Sequence, residues 1–406
     1  MYGLFSRRSA IQGGAAVLTI GAMVNRVAGR DSSAGDEAPP RTFLTPGKDF
    51  ADVSRGDPIP HKLTGEALVK ARLTPETWRL EIDTEGNASA EKPLTLEAGN
   101  ALDLPTLMKL GETHGVKFLK AMQCNNIAAP LGQGLWEGVP LREVLKLCGK
   151  IVNPRRVYYW GYHNDKPEQM FKSSLAMGQV LDTPPGEMPP FLAYRLNGEP
   201  IPLTRGGPVR MVVPWAHGFK SIKWLQKIVL TYKHEANDTY AEVNNDPESY
   251  LKTAAYFDST DAQEFAAGKL VVVRGTCMVG WPGLERVEHW LRPASGEGQL
   301  ADDDPAWKSA EWKSCTIDPP PSDWGGGLPE GVLPKSVWGF DTSGNPREWP
   351  MRFSIAHWSL VLRDLKPGKY ELRVRTVDKN GFAQPEPRPS QRSGRNLVQL
   401  KTITVA

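Results

Sequence analysis

Cysteine is scarce in this chain, and the spacing of the few cysteines excludes more than their number does. Four occur in 406 residues, at 124, 148, 277 and 315, with no Cys-x-x-Cys and no Cys-x-x-Cys-His. A zinc ribbon and a covalently attached c-type haem are therefore excluded. Net charge is nearly absent too: 49 Lys and Arg against 46 Asp and Glu leave +3. No basic run is interleaved with aromatics, so nothing argues for a nucleic-acid partner. Long hydrophobic runs are also missing. Ala10 to Val24 is broken by Gly13, Gly14 and Gly21, too short and too glycine-rich for a comfortable membrane span. No internal repeat is visible.

Turn formers are abundant instead. Thirty-five prolines and 39 glycines predict short strands, many turns and long irregular loops. Thirteen tryptophans are of the kind that line cores, clefts and interfaces. The length suits two or three domains.

Ser6-Arg7-Arg8-Ser9 precedes the modest apolar run. Paired arginines ahead of a weakly hydrophobic segment form the twin-arginine export pattern, which carries folded, often cofactor-loaded proteins across a bacterial membrane. Residues 1–30 are thus expected to be a signal peptide, and the mature protein to be periplasmic and soluble. Residues 31–60, rich in Pro, Gly and Asp, are expected to form a linker or an arm laid over the body.

The fold class expected is α+β. A mixed domain over 61–255 takes strands at 78–82, 93–96, 116–122, 156–160, 209–213 and 224–230. Helices are expected near 104–110, 140–149 and 174–180. Asn197-Gly198 reads as the turn of a hairpin between 191–196 and 199–203. From 262 to 406 the pattern is all-β, consistent with an immunoglobulin-like sandwich. The stretch 292–350, too long for an ordinary sandwich loop, is expected to be an insertion that packs on something.

Two stretches carry chemistry. Cys124 ends the apolar strand 116–122 and opens a polar, glycine-rich loop, whereas Cys148 falls on a helical apolar face with Leu141, Val144 and Leu145 and is a small buried hydrophobe. Cys124 has three readings: a nucleophile, which needs a histidine base from elsewhere; an inert thiol; or a soft metal ligand whose partners come from a cofactor, since no Cys/His/carboxylate cluster at metal spacing exists. Cys277 and Cys315 could pair in an oxidising compartment or remain two thiols. The second stretch, Arg205 to Trp224, gathers Arg205, Arg210, Lys220 and Lys223 around a glycine-bearing strand-to-loop turn. Such a turn can receive a phosphate; the alternative is a strand with solvated basic ends.

Taken together, the lone Cys at a strand end, Trp136-x-Gly138-Val139-Pro140-Leu141, the Tyr194–Pro202 hairpin, Gly206-x-Pro208-Val209-Arg210-x-Val212-Val213-Pro214 and Lys223-Trp224-Leu225 resemble the sulfite oxidase family. The resemblance covers residues 45 to 405. It implies a molybdenum-molybdopterin cofactor, with Cys124 as the protein thiolate on the metal. It places Arg205, Arg210, Lys220, Ser221 and Lys223 at pterin-binding positions and His163 at a further cofactor contact. Tyr240 and Arg395 match active-site positions. The C-terminal region, with Arg375-Thr376-Val377-Asp378, looks like the family's dimerisation domain, implying a homodimer. The implied reaction is oxidation of a small oxyanion, sulfite to sulfate, with electrons passing to an external c-type cytochrome. The chain departs from the family after Cys124: Asn125-Asn126-Ile127-Ala128-Ala129 replaces substrate-binding arginines, and Ser54-Arg55-Gly56 stands where an Arg-Asn-His run is usual. Another small substrate, such as a sulfoxide being reduced, or a binding module that keeps the fold, are the competing readings.

Overall fold

The computed structural model describes residues 41–124, 127, 129–162, 169–239, 248–296, 298–385 and 396–406. The N-terminal part is built on two sheets that share one core. In the first, the order is Leu102–Asp103, Arg79–Glu85, Leu225–Thr231, Arg156–Gly161 and Lys172–Ala176, and the Arg79–Glu85 strand runs parallel to Leu225–Thr231. In the second, the order is Glu199–Pro200, Phe191–Leu196, Gly132–Pro140 and Val116–Met122, with Arg210–Val212 also paired to Phe191–Leu196. Trp78, Trp136, Tyr159 and Phe191, none of them measurably exposed, lie in the core between them. Helix Leu104–His114 starts where Asp103 accepts the Thr106 amide at 2.9 Å. Pro105 preorganises its first turn, and its apolar face buries Leu107 completely.

Three elements differ from the sequence expectation. The strand expected at 93–96 is a single bridge from Leu94 to Ile82, because the chain leaves at once into the turn at 96–99. The helix expected at 174–180 begins as the strand Lys172–Ala176, and only Met177–Leu181 is helical. Tertiary bonds override propensity here: the Ser173 and Ser174 hydroxyls both donate to buried Asp238, each at 2.6 Å. The glycine-rich loop expected after Cys124 becomes, from 132 on, the strand Gly132–Pro140. Its glycines permit close approach rather than looping. A Cβ at Gly138 would lie 2.0 Å from the Leu192 carbonyl oxygen of the neighbouring strand, nearer than any side chain tolerates.

The C-terminal part is a sandwich of two sheets. One takes Ala254–Phe257, Val271–Met278, Ile355–Leu362 and Thr316–Ile317; the other takes Gln263–Phe265, Gln399–Val405, Gly368–Asp378, Leu284–Pro293 and Lys313–Ser314. Val273, Trp358, Leu372 and Ile403 fill the space between them. The sandwich starts earlier than the expected 262, because Ala254–Phe257 pairs with Val271–Met278. An apolar strand preceded by residues of the other domain gave no break in composition to mark that boundary.

Segments outside the two sheet pairs tie the body together. Within 292–350, Trp324 accepts from the Leu44 amide at 2.7 Å, and the Trp338 amide donates to Lys117 at 2.8 Å. Phe43, Leu44, Leu119, Trp324 and Phe340 share an apolar cluster. None of the four cysteines is in a disulfide. Cys277 is fully buried, and Cys315 lies 3.7 Å from His289 Nδ1. Burial pushes both thiols up to about 12, so they are inert as nucleophiles. No described helix is long and apolar enough to cross a membrane.

Candidate active site

Cys124 follows the Val116–Met122 strand by two residues and is half-buried. Its loop is held from both sides. The Gln123 side-chain amide donates to Cys124 O at 3.0 Å and to Ile127 O at 2.6 Å, while Gln123 O accepts the Gly218 amide at 2.6 Å. That last bond joins the cysteine loop to the turn Gly218–Lys220, which leads into Ser221 and Lys223. The two stretches that carried chemistry in the sequence are therefore adjacent in space.

The cations form a connected group. Arg210, buried over the Trp136 ring at 5.0 Å, donates to Arg205 O at 2.7 Å and Ser221 O at 2.6 Å. Arg205 donates to Ala51 O at 2.9 Å. Lys223 Nζ reaches Ser54 Oγ at 2.6 Å, Thr204 O at 2.9 Å and Asp52 at 3.1 Å. The Ser221 hydroxyl accepts the Val213 amide at 3.1 Å. Burial pushes Arg210 down to about 9, and neighbouring Arg205 adds to the shift. Lys223 is pushed down to about 8 by burial first; Asp52 pulls it back up by more than Arg210 and Arg205 lower it, but does not offset the burial. Burial would raise Asp52, but Lys223 and Ser54 prevail and hold it at about 2.

Gly206 lets this group close. Its φ is 96°, and a Cβ there would sit 2.6 Å from Lys223 Cβ. Gly206→Ala is expected to cost about 2 kcal/mol in urea unfolding, from the left-handed backbone plus that collision.

Lys220 plays a different part. Its ammonium is buried and committed to Asp238 at 2.6 Å and Ser174 O at 2.6 Å, so it anchors the turn and is not presented to a ligand through its charge. Fully buried His217 is pushed down to about 3, by burial first and then by Lys120 and Lys252, against the Gln123 backbone. It lies against that backbone without forming a well-aligned hydrogen bond. Neutral at physiological pH, it cannot replace the missing arginines as a cation. His163, Tyr240, Arg395 and most of the neutral run after Cys124 (Asn125, Asn126 and Ala128) lie outside the described residues.

Sequence reading missed Asp52, Asp238 and Lys120. Lys120 is fully buried, donating to Pro214 O at 2.7 Å and Ala216 O at 3.0 Å, and so fixes the loop before His217. Its only signal was a lysine inside an apolar strand. The aspartates gave none, since each meets its lysine through the tertiary fold.

The buried donors show what the group suits. Arg205 Nε and Arg210 Nε have no acceptor among the described residues. Arg205 and Lys223 share one carboxylate, Asp52, as their counter-charge, while the charge acting on Arg210 is that of Arg205. Unsatisfied donors in a region of positive charge fit a bound phosphate. A thiol on the neighbouring loop fits a soft metal.

Residues 67–240 match the oxidoreductase molybdopterin binding domain. The chain carries an oxidoreductase molybdopterin binding domain, and the proteins similar to it include sulfite oxidases and nitrate reductases. The domain implies the molybdenum cofactor, which the thiol and the unsatisfied guanidinium donors suit. Mitochondrial sulfite oxidase of Drosophila melanogaster is 26% identical over 61% of this chain and 42% of that protein. An inducible NADH nitrate reductase of Glycine max is 34% identical over 29% of the chain and 13% of its own length. The chain thus spans less than half of either relative. In fold, the chain is similar to the sulfane dehydrogenase SoxCD of Paracoccus pantotrophus, with TM-score 0.56 and 16% identity over 86% of both chains.

Proposed function

We propose that this protein is an exported molybdenum-pterin oxidoreductase that oxidises sulfite to sulfate and passes the electrons to an external c-type cytochrome. The observation that carries this reading is the bond from Gly218 to Gln123, which sets a thiol-bearing loop beside buried guanidinium donors that lack acceptors among the described residues. When bound, the molybdenum-pterin group supplies two-electron oxygen-atom transfer. Cys124 would hold the metal. Arg205, Arg210, Ser221 and Lys223 would hold the pterin phosphate, with Lys220 fixing their turn from behind. His163 is assigned a further cofactor contact, and Tyr240 and Arg395 the substrate side. Arg7-Arg8 and the run after them support export to the periplasm. The sandwich is assigned to homodimerisation as an immunoglobulin-like domain.

The neutral run Asn125 to Ala129 favours a second reading, a less charged sulfur substrate such as a sulfoxide or a sulfane. Cytochrome-linked assays on protein from a cofactor-competent host separate the two. Sulfite turnover supports the first; turnover of sulfoxide or sulfane alone transfers the reading to the second. Protein that binds neither molybdenum nor pterin in that host is a binding module, and the enzyme reading ends there.

Anion binding by the cofactor-free protein should depend on pH. Because Lys223 in the folded chain loses its proton near pH 8, raising the pH through that value removes a cation from the site. Pyrophosphate affinity, measured by calorimetry from pH 7 to 9.5, is expected to weaken about tenfold, the value of one charge-assisted hydrogen bond. Lys223→Met should flatten the profile; an unchanged slope in that variant would exclude Lys223 as its source.

A further inference from the structure

A second cleft, of about 220 Å³, opens beside the cysteine-bearing body and differs in chemistry from the anion site. Its walls include Asp182, Thr183, Glu187, Trp215, Tyr250 and Trp281, and no lysine or arginine among the described residues lines it. The rings present faces in different directions. Trp215 and Trp281 stand at 83° with centroids 6.0 Å apart, and Tyr250 and Trp281 at 60° with centroids 5.2 Å apart. Two of these large rings are left in water, Trp281 37% and Tyr250 43% exposed. Two polar atoms inside, Trp215 Nε1 and Thr183 Oγ1, are buried without a hydrogen-bond partner among the described residues. Arg352 holds Glu187 at 2.8 Å, so the negative charge at the mouth comes from exposed Asp182.

We propose that this cleft binds an alkylammonium cation. Aromatic faces attract a cation through the ring quadrupole, and quaternary ammonium groups are held by such walls. A carboxylate at the rim adds attraction without a strong hydrogen bond that a methylated ammonium could not return. An oxyanion, the ligand class of the Cys124 site, would meet π faces and carboxylates here and is repelled. The same chemistry can arrive as a free quaternary amine or as a lysine side chain of a partner protein.

The test uses the purified full chain and choline as probe, followed by calorimetry and ligand-observed NMR. Choline is expected to bind with Kd on the order of 1 mM, as a few cation–π contacts supply. Its neutral isostere 3,3-dimethylbutan-1-ol should bind at least tenfold more weakly. Trp281→Ala should weaken choline about tenfold. Asp182→Asn, an exposed substitution that leaves the fold intact, should weaken it several-fold at low salt and less at high salt. Nα-acetyl-lysine amide binding as tightly as choline assigns the cleft to a protein lysine; weaker binding assigns it to a free quaternary amine. Equal affinity for the neutral isostere, no choline binding, or affinity unchanged in both variants overturns the proposal.

Discussion

Replacing Cys124 by serine should abolish turnover while leaving most of the pterin bound. A serine hydroxyl stays protonated at neutral pH and offers a hard oxygen where the cofactor's metal calls for a soft thiolate. Groups that only orient a metal ligand typically cost about 10–100-fold when lost, so loss of the ligand itself is expected to cost on the order of 10³-fold or more in kcat. The pterin, by contrast, would be held through Arg205, Arg210 and Lys223, none of which the substitution touches. Metal analysis, pterin fluorescence and the sulfur-to-metal absorption band separate these effects. Full activity in Cys124→Ser would remove the ligand assignment. Loss of pterin together with activity would instead point to a collapsed loop, and unfolding measurements on the variant would reveal it.

The largest stability effect should come from Asp238, which anchors the cationic turn through Lys220. Its carboxylate is fully buried and takes Lys220 Nζ on one oxygen and the Ser173 and Ser174 hydroxyls across both. Asp238→Ala would leave the Lys220 ammonium buried with one carbonyl and without the carboxylate that touches it, a loss of about 3–5 kcal/mol. Burial already pushes Lys220 below its ordinary value, and Asp238 is the main group pulling it back. Urea unfolding of Asp238→Ala, Lys220→Met and the double variant measures the coupling. The double variant should recover much of the loss, because the stranded charge goes with its partner. Equal, additive losses would mean that the two residues act separately.

Much of the site was legible from residue type and order. Cys124 stood apart because no helical period surrounded it, and Arg205, Arg210 and Lys223 stood out as cations interrupting an apolar strand and loop. What order along the chain could not show is which of these cations remain available. Lys220 and Lys223 are three residues apart and look equivalent, yet one is neutralised in the interior by Asp238 and the other meets Asp52 at the partly open side. Both aspartates arrive from elsewhere in the chain. The strand Lys172–Ala176 was hidden for the same reason: Ser173 and Ser174 are satisfied by a residue 64 or 65 positions away.

By itself, then, the sequence determined the residue types that chemistry needs and their order, because strand ends, paired arginines and turn glycines act locally. Tertiary structure alone decided that the cysteine loop and the cationic turn share the Gln123–Gly218 bond, that buried guanidinium donors find no acceptor among the described residues, and that His217 is neutral. Those outcomes depend on burial and on partners distant in sequence, which set the cost of every charge and are absent from any local pattern.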